Sequence, residues 1–322
     1  MRLIFCGTPR FAVPTLKHLL AQPDFEIAAV ITQPDRPRGR GHEVSFSPVK
    51  EIAIAAGIPM HQPEKIRAPE AQEILQKLAP DVIVIIAYGQ IIPARLLPIP
   101  KLGWINLHAS LLPKYRGAAP INWAIVNGEI KTGVTSMRID AGMDTGEILL
   151  QEEMEIGPSE SAPALAARMS ELGAPLMAET LRGLAAGSIV PHPQNHEHAS
   201  SASMLKKEDG RIDWAHTAQE IFNRIRGFAP WPGAYTTFRD QTCHIGGEPA
   251  SNSNDVLEPA SNPAQSAIPG SLLLQRNELM VRCGGTTYLR LLRVKLEGRK
   301  EVSATEFVNG AHLLAGEHFD KS

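Results

Sequence analysis

A chain of 322 residues, 43% of them hydrophobic, has material for two cores, and two domains are expected. Lys and Arg number 32 against 34 Asp and Glu, a formal net charge of -2 that speaks against a protein coated in positive charge, so a polyanionic partner must meet a local basic patch. No stretch reaches the roughly 18 apolar residues of a membrane span, the opening apolar run is too short for a signal segment, and three scattered cysteines (Cys6, Cys243, Cys283) have neither disulfide-framework nor zinc spacing; a reducing, cytoplasmic setting is expected.

Up to about residue 150, short β-branched or apolar runs alternate with helix-like segments, which predicts a mostly parallel, helix-covered sheet. Residues 3–6, 27–32, 82–87 and 105–108 read as buried strands, and 11–20, 47–56 and 119–126 as helices. Pro9, Pro48 and Pro120 each stand where a first helical residue is expected, a position at which the missing N–H costs nothing. Residues 133–139 and 147–150 read as strands around an acidic loop, and an amphipathic segment over 164–186 closes a first domain of residues 1–189. Residues 190–206 are rich in Pro, His, Ser and Asn without periodicity and read as a linker.

A second domain is expected over 207–322. Thr217-Ala218-Gln219-Glu220 is a capping box, opening a helix with Ile221, Phe222, Ile225 and Phe228 on one face. Strand-like runs follow at 234–238, 271–274, 279–282 and 288–294, which suggests a small β-barrel; 248–269 reads as a long surface loop. Ser303-Ala304-Thr305-Glu306 is a second capping box before a terminal helix.

The strand-to-helix turn Phe5-Cys6-Gly7-Thr8-Pro9 has one glycine where a dinucleotide fingerprint needs three, so a tight turn outweighs an NAD site. Ile105-Asn106-Leu107-His108 is more informative. Period-two alternation puts Asn106 and His108 on one side at a strand's carboxyl end, where open α/β sheets bind ligands. An amide donor beside an imidazole suits carbonyl chemistry: one holds a developing oxyanion and the other exchanges a proton near neutral pH. As an isolated pair they read more readily as polar groups satisfying a strand end. Asp140-Ala141-Gly142-Met143-Asp144-Thr145-Gly146-Glu147 reads either as a loop carrying a carboxylate to that imidazole or as a hairpin turn with solvated acids, and spacing alone favours the turn.

Taken together, Asn106-Leu107-His108-Ala109-Ser110-Leu111-Leu112-Pro113, Lys114-Tyr115-Arg116-Gly117 and Met143-Asp144-Thr145-Gly146 resemble the folate-dependent formyltransferases. The resemblance continues through Thr32-Gln33-Pro34-Asp35-Arg36-Pro37, Gly39-Arg40-Gly41, Ser47-Pro48-Val49-Lys50, Arg224-Ile225-Arg226-Gly227-Phe228 and Pro230-Trp231-Pro232-Gly233, nearly end to end. It departs at Arg10, where an acidic residue is usual, and at His42-Glu43, where lysines are usual.

The resemblance implies a Rossmann-like domain followed by an OB-like one, with Asn106, His108 and Asp144 catalytic. It implies 10-formyltetrahydrofolate as formyl donor, held by Ser110, Leu111, Leu112 and Pro113, with Ala87, Tyr88 and Gly89 along the pterin pocket and no metal. Within the family, the branch acting on methionyl initiator tRNA fits the basic loop with Arg36, Arg38 and Arg40, and the basic stretch Arg290, Arg293 and Lys295 is a further candidate contact for that partner. A monomer that meets no membrane is expected. The competing classes are a formyltransferase acting on a sugar amine or purine precursor, a nucleotide-dependent oxidoreductase, and a noncatalytic RNA-binding module.

Overall fold

The structure, a computed structural model, describes residues 1–38, 43–250, 268–314 and 316–320. Its contacts divide the chain into two compact units: Met1–Pro120, Lys131–Ile156 and Ala164–Ser203 form the first, and Ile121–Ile130, Gly157–Pro163 and Met204–Ser322 the second.

Among the described residues, eleven strands lie in the first unit: β1 (Arg2–Gly7), β2 (Glu26–Ile31), β3 (Arg36–Arg38), β4 (Glu43–Ser45), β5 (Met60–His61), β6 (Val82–Ile86), β7 (Trp104–His108), β8 (Arg116–Gly117), β9 (Lys131–Arg138), β10 (Ile148–Glu155) and β11 (Ser201–Ala202). Seven make one sheet in the order β10-β9-β7-β6-β1-β2-β5. β5, β2, β1, β6 and β7 run parallel, while β9 and β10 are antiparallel to their neighbours. Parallel strands covered on both faces need apolar residues at every position, and all five of β6 are β-branched and buried. The chain moves outward from β1 to β2 and β5, then returns to lay β6 on the other side of β1. This reversal opens a crevice beyond the carboxyl ends of β1 and β6, where such sheets take ligands.

Helices α1 (Val13–Leu20), α2 (Pro48–Ala55), α3 (Pro69–Leu78), α4 (Pro120–Val126) and α5 (Ala162–Ala186) belong to the same stretch of chain. Pro48 and Pro120 open helices as expected; Pro9 instead precedes a 3-10 turn at Arg10–Ala12, and α1 begins only at Val13. Ser47 caps α2 by accepting the Lys50 N–H at 3.1 Å. α3 is absent from the expected elements, although Pro69 opens it and Ala71, Ile74, Leu75 and Leu78 recur at helical spacing on its inner face.

Residues 190–203, expected as linker, pack into the first unit: β11 pairs with β8, and His192 bridges Ile148 through two 2.9 Å backbone bonds. Two segments of the expected first domain instead join the second unit. Their polar groups are satisfied there by helix α6 (Ala218–Gly227) and the residue after it. Asn122 Nδ2 donates to the Gly227 carbonyl at 2.7 Å, Arg226 Nη1 donates to the carbonyls of Gly157 and Glu160 at 3.0 and 3.1 Å, and Trp123 meets Phe228 edge-on at 5.5 Å.

The rest of the second unit is an antiparallel sheet of β12 (Tyr235–Phe238), β13 (Gln241–Pro249), β14 (Leu272–Gln275), β15 (Glu278–Arg282), β16 (Tyr288–Leu296) and β17 (Val302–Ser303), followed by α7 (Ala304–Ala311). Thr217 and Ser303 cap α6 and α7 in reciprocal boxes, as expected. The sheet order is β12-β13-β16-β15-β14 with β17 also on β16; among the described residues it stays open, where a closed barrel is expected from sequence. β13 escapes the sequence reading because Gly246-Gly247, His244 and Gln241 dilute its apolar positions. Part of the expected 248–269 loop, residues 251–267, lies outside the described residues. The core gathers Trp214 stacked on Phe319 at 5.4 Å and Phe238 edge-on to Phe307 at 5.1 Å, with Ile221, Val281 and Leu289 fully buried. Among the described residues no helix is long and apolar enough to cross a membrane.

Two outcomes follow from this packing. A Cβ on Gly133 would stand 2.1 Å from the Glu152 carbonyl oxygen and 2.6 Å from Leu111 Cδ2, so Gly133→Ala forces β9 from β10 and is expected to cost roughly 1–3 kcal/mol in thermal or urea unfolding. All three cysteines are buried, and burial pushes the Cys243 and Cys283 thiols up to about 12 and raises Cys6 as well. Since the thiolate is the reactive form, a thiol reagent at pH 8 should label the native chain slowly and the denatured chain at all three positions.

Candidate active site

β7 ends at His108, and alternation along the strand puts Asn106 and His108 on the same face. Asn106 is half-buried and His108 is 5% exposed. His108 Nε2 lies 2.9 Å from the Tyr115 carbonyl oxygen. A carbonyl only accepts, so Nε2 carries a hydrogen, and in the neutral ring Nδ1 is left as the base. Nδ1 faces Asp144 Oδ2 at 3.6 Å, too long for a hydrogen bond but within ion-pair range once Nδ1 is protonated.

The two acids of the 140–147 loop have separate tasks. Asp140 shapes the turn, accepting the Gly142 N–H at 2.9 Å and the Thr145 hydroxyl at 2.7 Å. Asp144 adopts φ 52°, in the left-handed region that Asp tolerates, and its Oδ2 also accepts the Gly117 N–H at 2.9 Å. Behind it lies Gln194, 6% exposed, with Nε2 donating to the carbonyls of Asp144 and Gly146 at 2.9 and 2.7 Å. Its Oε1 accepts from Nε and Nη2 of Arg116 at 3.0 and 2.7 Å. Ser200 Oγ accepts the Tyr115 N–H at 2.9 Å, fixing the residue whose carbonyl holds His108. Gln194 and Ser200 fall in the stretch read as linker; an isolated amide and hydroxyl among Pro, His and Asn carry no sequence signal of this role.

The segment after β7 is held just as closely. Ser110 is fully buried, its hydroxyl donating to the Lys114 carbonyl at 2.6 Å. Thr135 of β9 donates to the Ser110 carbonyl at 2.6 Å and accepts the Leu112 N–H at 3.2 Å, while Gln151 Nε2 donates to the Leu112 carbonyl at 3.0 Å. The Leu112–Pro113 peptide is cis, and Leu111 rests beside Gly133. Ala87 turns the chain at φ 48°, the Tyr88 ring is buried in the core with Ile4, Cys6 and Trp104, and Ala87 and Gly89 on either side of it are exposed.

A cavity of about 380 Å³ lies beyond β1 and β2, lined by Thr8, Gln33, Asp35, Arg36, Ser47 and Gly89 among others. Its floor is ordered by Lys50, which is paired with Asp35 and donates to Gln62 Oε1 at 2.9 Å; the hydrogen bond from Lys50 holds the Asp35 carboxyl below the usual carboxylate range. Arg36 and the backbone of Arg38 belong to the β3–β4 hairpin, whereas Arg40 lies outside the described residues. In the second unit Arg290 is paired with both Glu248 and Glu278 on the flanking strands. Arg293 reaches Glu301 at 3.4 Å while remaining largely exposed, and Lys295 is exposed.

Two family models match the chain in succession. Residues 1–181 match the formyl transferase model and residues 204–312 the formyl transferase C-terminal domain model. Among solved structures, the chain resembles WlaRD, a sugar 3N-formyltransferase solved with dTDP and 5-N-formyl-THF, at TM-score 0.65 and 20% identity over 93% of this chain and 99% of that one. It also resembles an N-formyltransferase of Helicobacter canadensis, solved with folinic acid and dTDP-3-aminofucose, at TM-score 0.63 and 19% identity over 90% and 98%. These likenesses establish the fold. Sequence relatives are much nearer: a methionyl-tRNA formyltransferase of Solibacter usitatus is 52% identical over 98% of both chains, and one of Koribacter versatilis is 50% identical over 96% of both. Identity of this extent over nearly the full length of each chain means that the chain belongs to the methionyl-tRNA formyltransferase family.

Proposed function

We infer that this chain transfers the formyl group of 10-formyltetrahydrofolate to the α-amino group of methionyl initiator tRNA, giving N-formylmethionyl-tRNA for translation initiation in the cytoplasm. The observation that carries the reading is identity of about one half to methionyl-tRNA formyltransferases over essentially the full length of both chains. The His108–Asp144 pair at the end of β7 supports it chemically.

In this reading the neutral amine attacks the formyl carbon and gives a tetrahedral intermediate. An α-amino group titrates at roughly 7.7–8.0, so a usable neutral fraction exists at pH 7 and the site need not supply a strong base. Asn106 donates its amide N–H to the oxyanion. His108 Nδ1 takes the proton that the attacking nitrogen must lose, and the Asp144 carboxylate stabilises the imidazolium formed. The proton then passes to N10 of the folate as the carbon–N10 bond breaks, leaving tetrahydrofolate. Ser110 to Pro113, with the backbone of Ala87 and Gly89, would hold the folate.

The acceptor arm of the tRNA is assigned to the basic segment with Arg36, Arg38 and Arg40, and Arg290, Arg293 and Lys295 on β16 are further candidate contacts in the second unit. β16 pairs with β13, β15 and β17, which supports reading that unit as a partly closed, OB-like frame.

Purified protein given 10-formyltetrahydrofolate should formylate charged initiator tRNA and leave free methionine untouched; formylation of neither would remove the reading. Asn106→Ala is expected to lower kcat about 100- to 1,000-fold, the usual cost of one oxyanion donor, and His108→Ala about 100- to 10,000-fold, with thermal unfolding little changed. Near-parent turnover in either variant takes that residue out of the mechanism. Because phosphate contacts release counterions, kcat/KM for charged tRNA should fall steeply between about 50 and 200 mM salt. A flat response would place the affinity elsewhere than in basic contacts.

A further inference from the structure

We propose that Gln194 is a positioning residue for formyl transfer, holding the Asp144 carboxylate beside His108 through the backbone of the 144–146 turn. The inference rests on the functional reading above for its kinetic consequence and on geometry alone for its structural one.

Every hydrogen-bonding capacity of the Gln194 amide is used. Its two N–H groups donate to the Asp144 and Gly146 carbonyls, and its oxygen accepts twice from Arg116. The guanidinium is oriented in turn by His196, whose Nδ1 lies 3.1 Å from Nη1. Arg116 stands between the two backbone groups that fix the pair, the Tyr115 carbonyl on His108 and the Gly117 N–H on Asp144. Gln194 therefore ties the loop bearing the carboxylate to the strand that orients both side chains. Asp144 adopts φ 52°, a conformation Asp tolerates but populates less than the extended and right-handed regions, and the two bonds from Gln194 to this turn favour it. With the two donors removed, the carbonyls at 144 and 146 lose buried partners, the turn relaxes, and the carboxylate leaves Nδ1. The Asp144 carboxylate itself reports the change through its bond to the Gly117 N–H.

Two variants separate positioning from bulk. Gln194→Met keeps the length of the side chain and loses all four bonds, whereas Gln194→Glu keeps an acceptor for Arg116 and loses only the donors. The first readout is amide hydrogen exchange by NMR, which needs no activity. Gly117 N–H should exchange at least about 10-fold faster in both variants, approaching Asp144→Ala, while the β7 amides and the Arg116 N–H, bonded to the Ser200 carbonyl at 2.8 Å, keep their parent rates. The second readout is turnover: kcat should fall about 10- to 100-fold with KM for folate and tRNA within threefold, as expected when a reacting group is displaced by roughly 1 Å. In an Asp144→Ala background, Gln194→Met should add no further loss, because both act through one carboxylate. Unchanged Gly117 protection overturns the proposal. So does loss of protection across β7 and Arg116 together, which would make Gln194 mere scaffold, and so do losses that multiply in the double variant. A parent protein that does not formylate tRNA refutes the functional reading instead, and the Gly117 exchange then decides the role of Gln194 by itself.

Discussion

The hydrogen bond between His108 Nε2 and the Tyr115 carbonyl is the constraint on which the rest of the site depends. It decides which ring nitrogen keeps its hydrogen and therefore which one is free to accept another. Once Nε2 is committed to a carbonyl, the basic lone pair can only be on Nδ1, and Nδ1 faces Asp144. The carbonyl is fixed because the Tyr115 N–H is bound by Ser200 and because β8 pairs with β11. A ring placed by its strand and oriented by a neighbouring backbone group needs little reorganisation when it takes a proton, and this is how a site in a folded chain does better than the same groups free in water.

The fold explains why this strand end was available. A parallel sheet whose chain order reverses between β1 and β6 leaves the loops after those strands diverging, so the crevice between them is lined by turns rather than by a covering helix. Thr8, Ala87 and Gly89 sit at those turns, and His108 ends the next strand along. β9 then adds itself antiparallel, and its Thr135 ties down the Ser110–Leu112 backbone that leaves β7. Sheet topology makes the opening, and a few buried side-chain bonds give its walls their shape.

What the sequence discloses follows from how local each determinant is. The central strands β1, β2, β6 and β7 are legible because burial on both faces leaves continuous apolar runs, and the boxes at Thr217 and Ser303 because capping is settled within four residues; the short strands β3, β4, β5, β8 and β11 are not. Nor is β13, since glycines and polar residues dilute its apolar positions, and α3 is missing from the expected elements although Ala71, Ile74, Leu75 and Leu78 repeat at helical spacing. Spacing cannot divide the work between Asp140 and Asp144; that depends on a hydroxyl within the loop and on an amide 27 residues away along the chain. Arg290 reads as a free cation until strand pairing brings Glu248 and Glu278 to it. Gln194 leaves no trace at all, because what it does is determined by carbonyls it meets only after folding. The resemblance names Asn106, His108 and Asp144, and it is the structure that gives the ring its hydrogen and the carboxylate its tether.

The order of the first sheet ends on β10, and an outermost strand presents one row of unpaired backbone groups to whatever comes near. Here that row begins under the His192 bridge and continues along Gln151, Glu152, Glu153 and Glu155, all exposed but for the half-turned Met154 between them. A second copy sliding in to extend the sheet would bring its own glutamates against these at close range. The strand that supplies Gln151 to the wall of the site thus also carries charge along the rim of the sheet, of the kind that disfavours extension of an edge by a second copy.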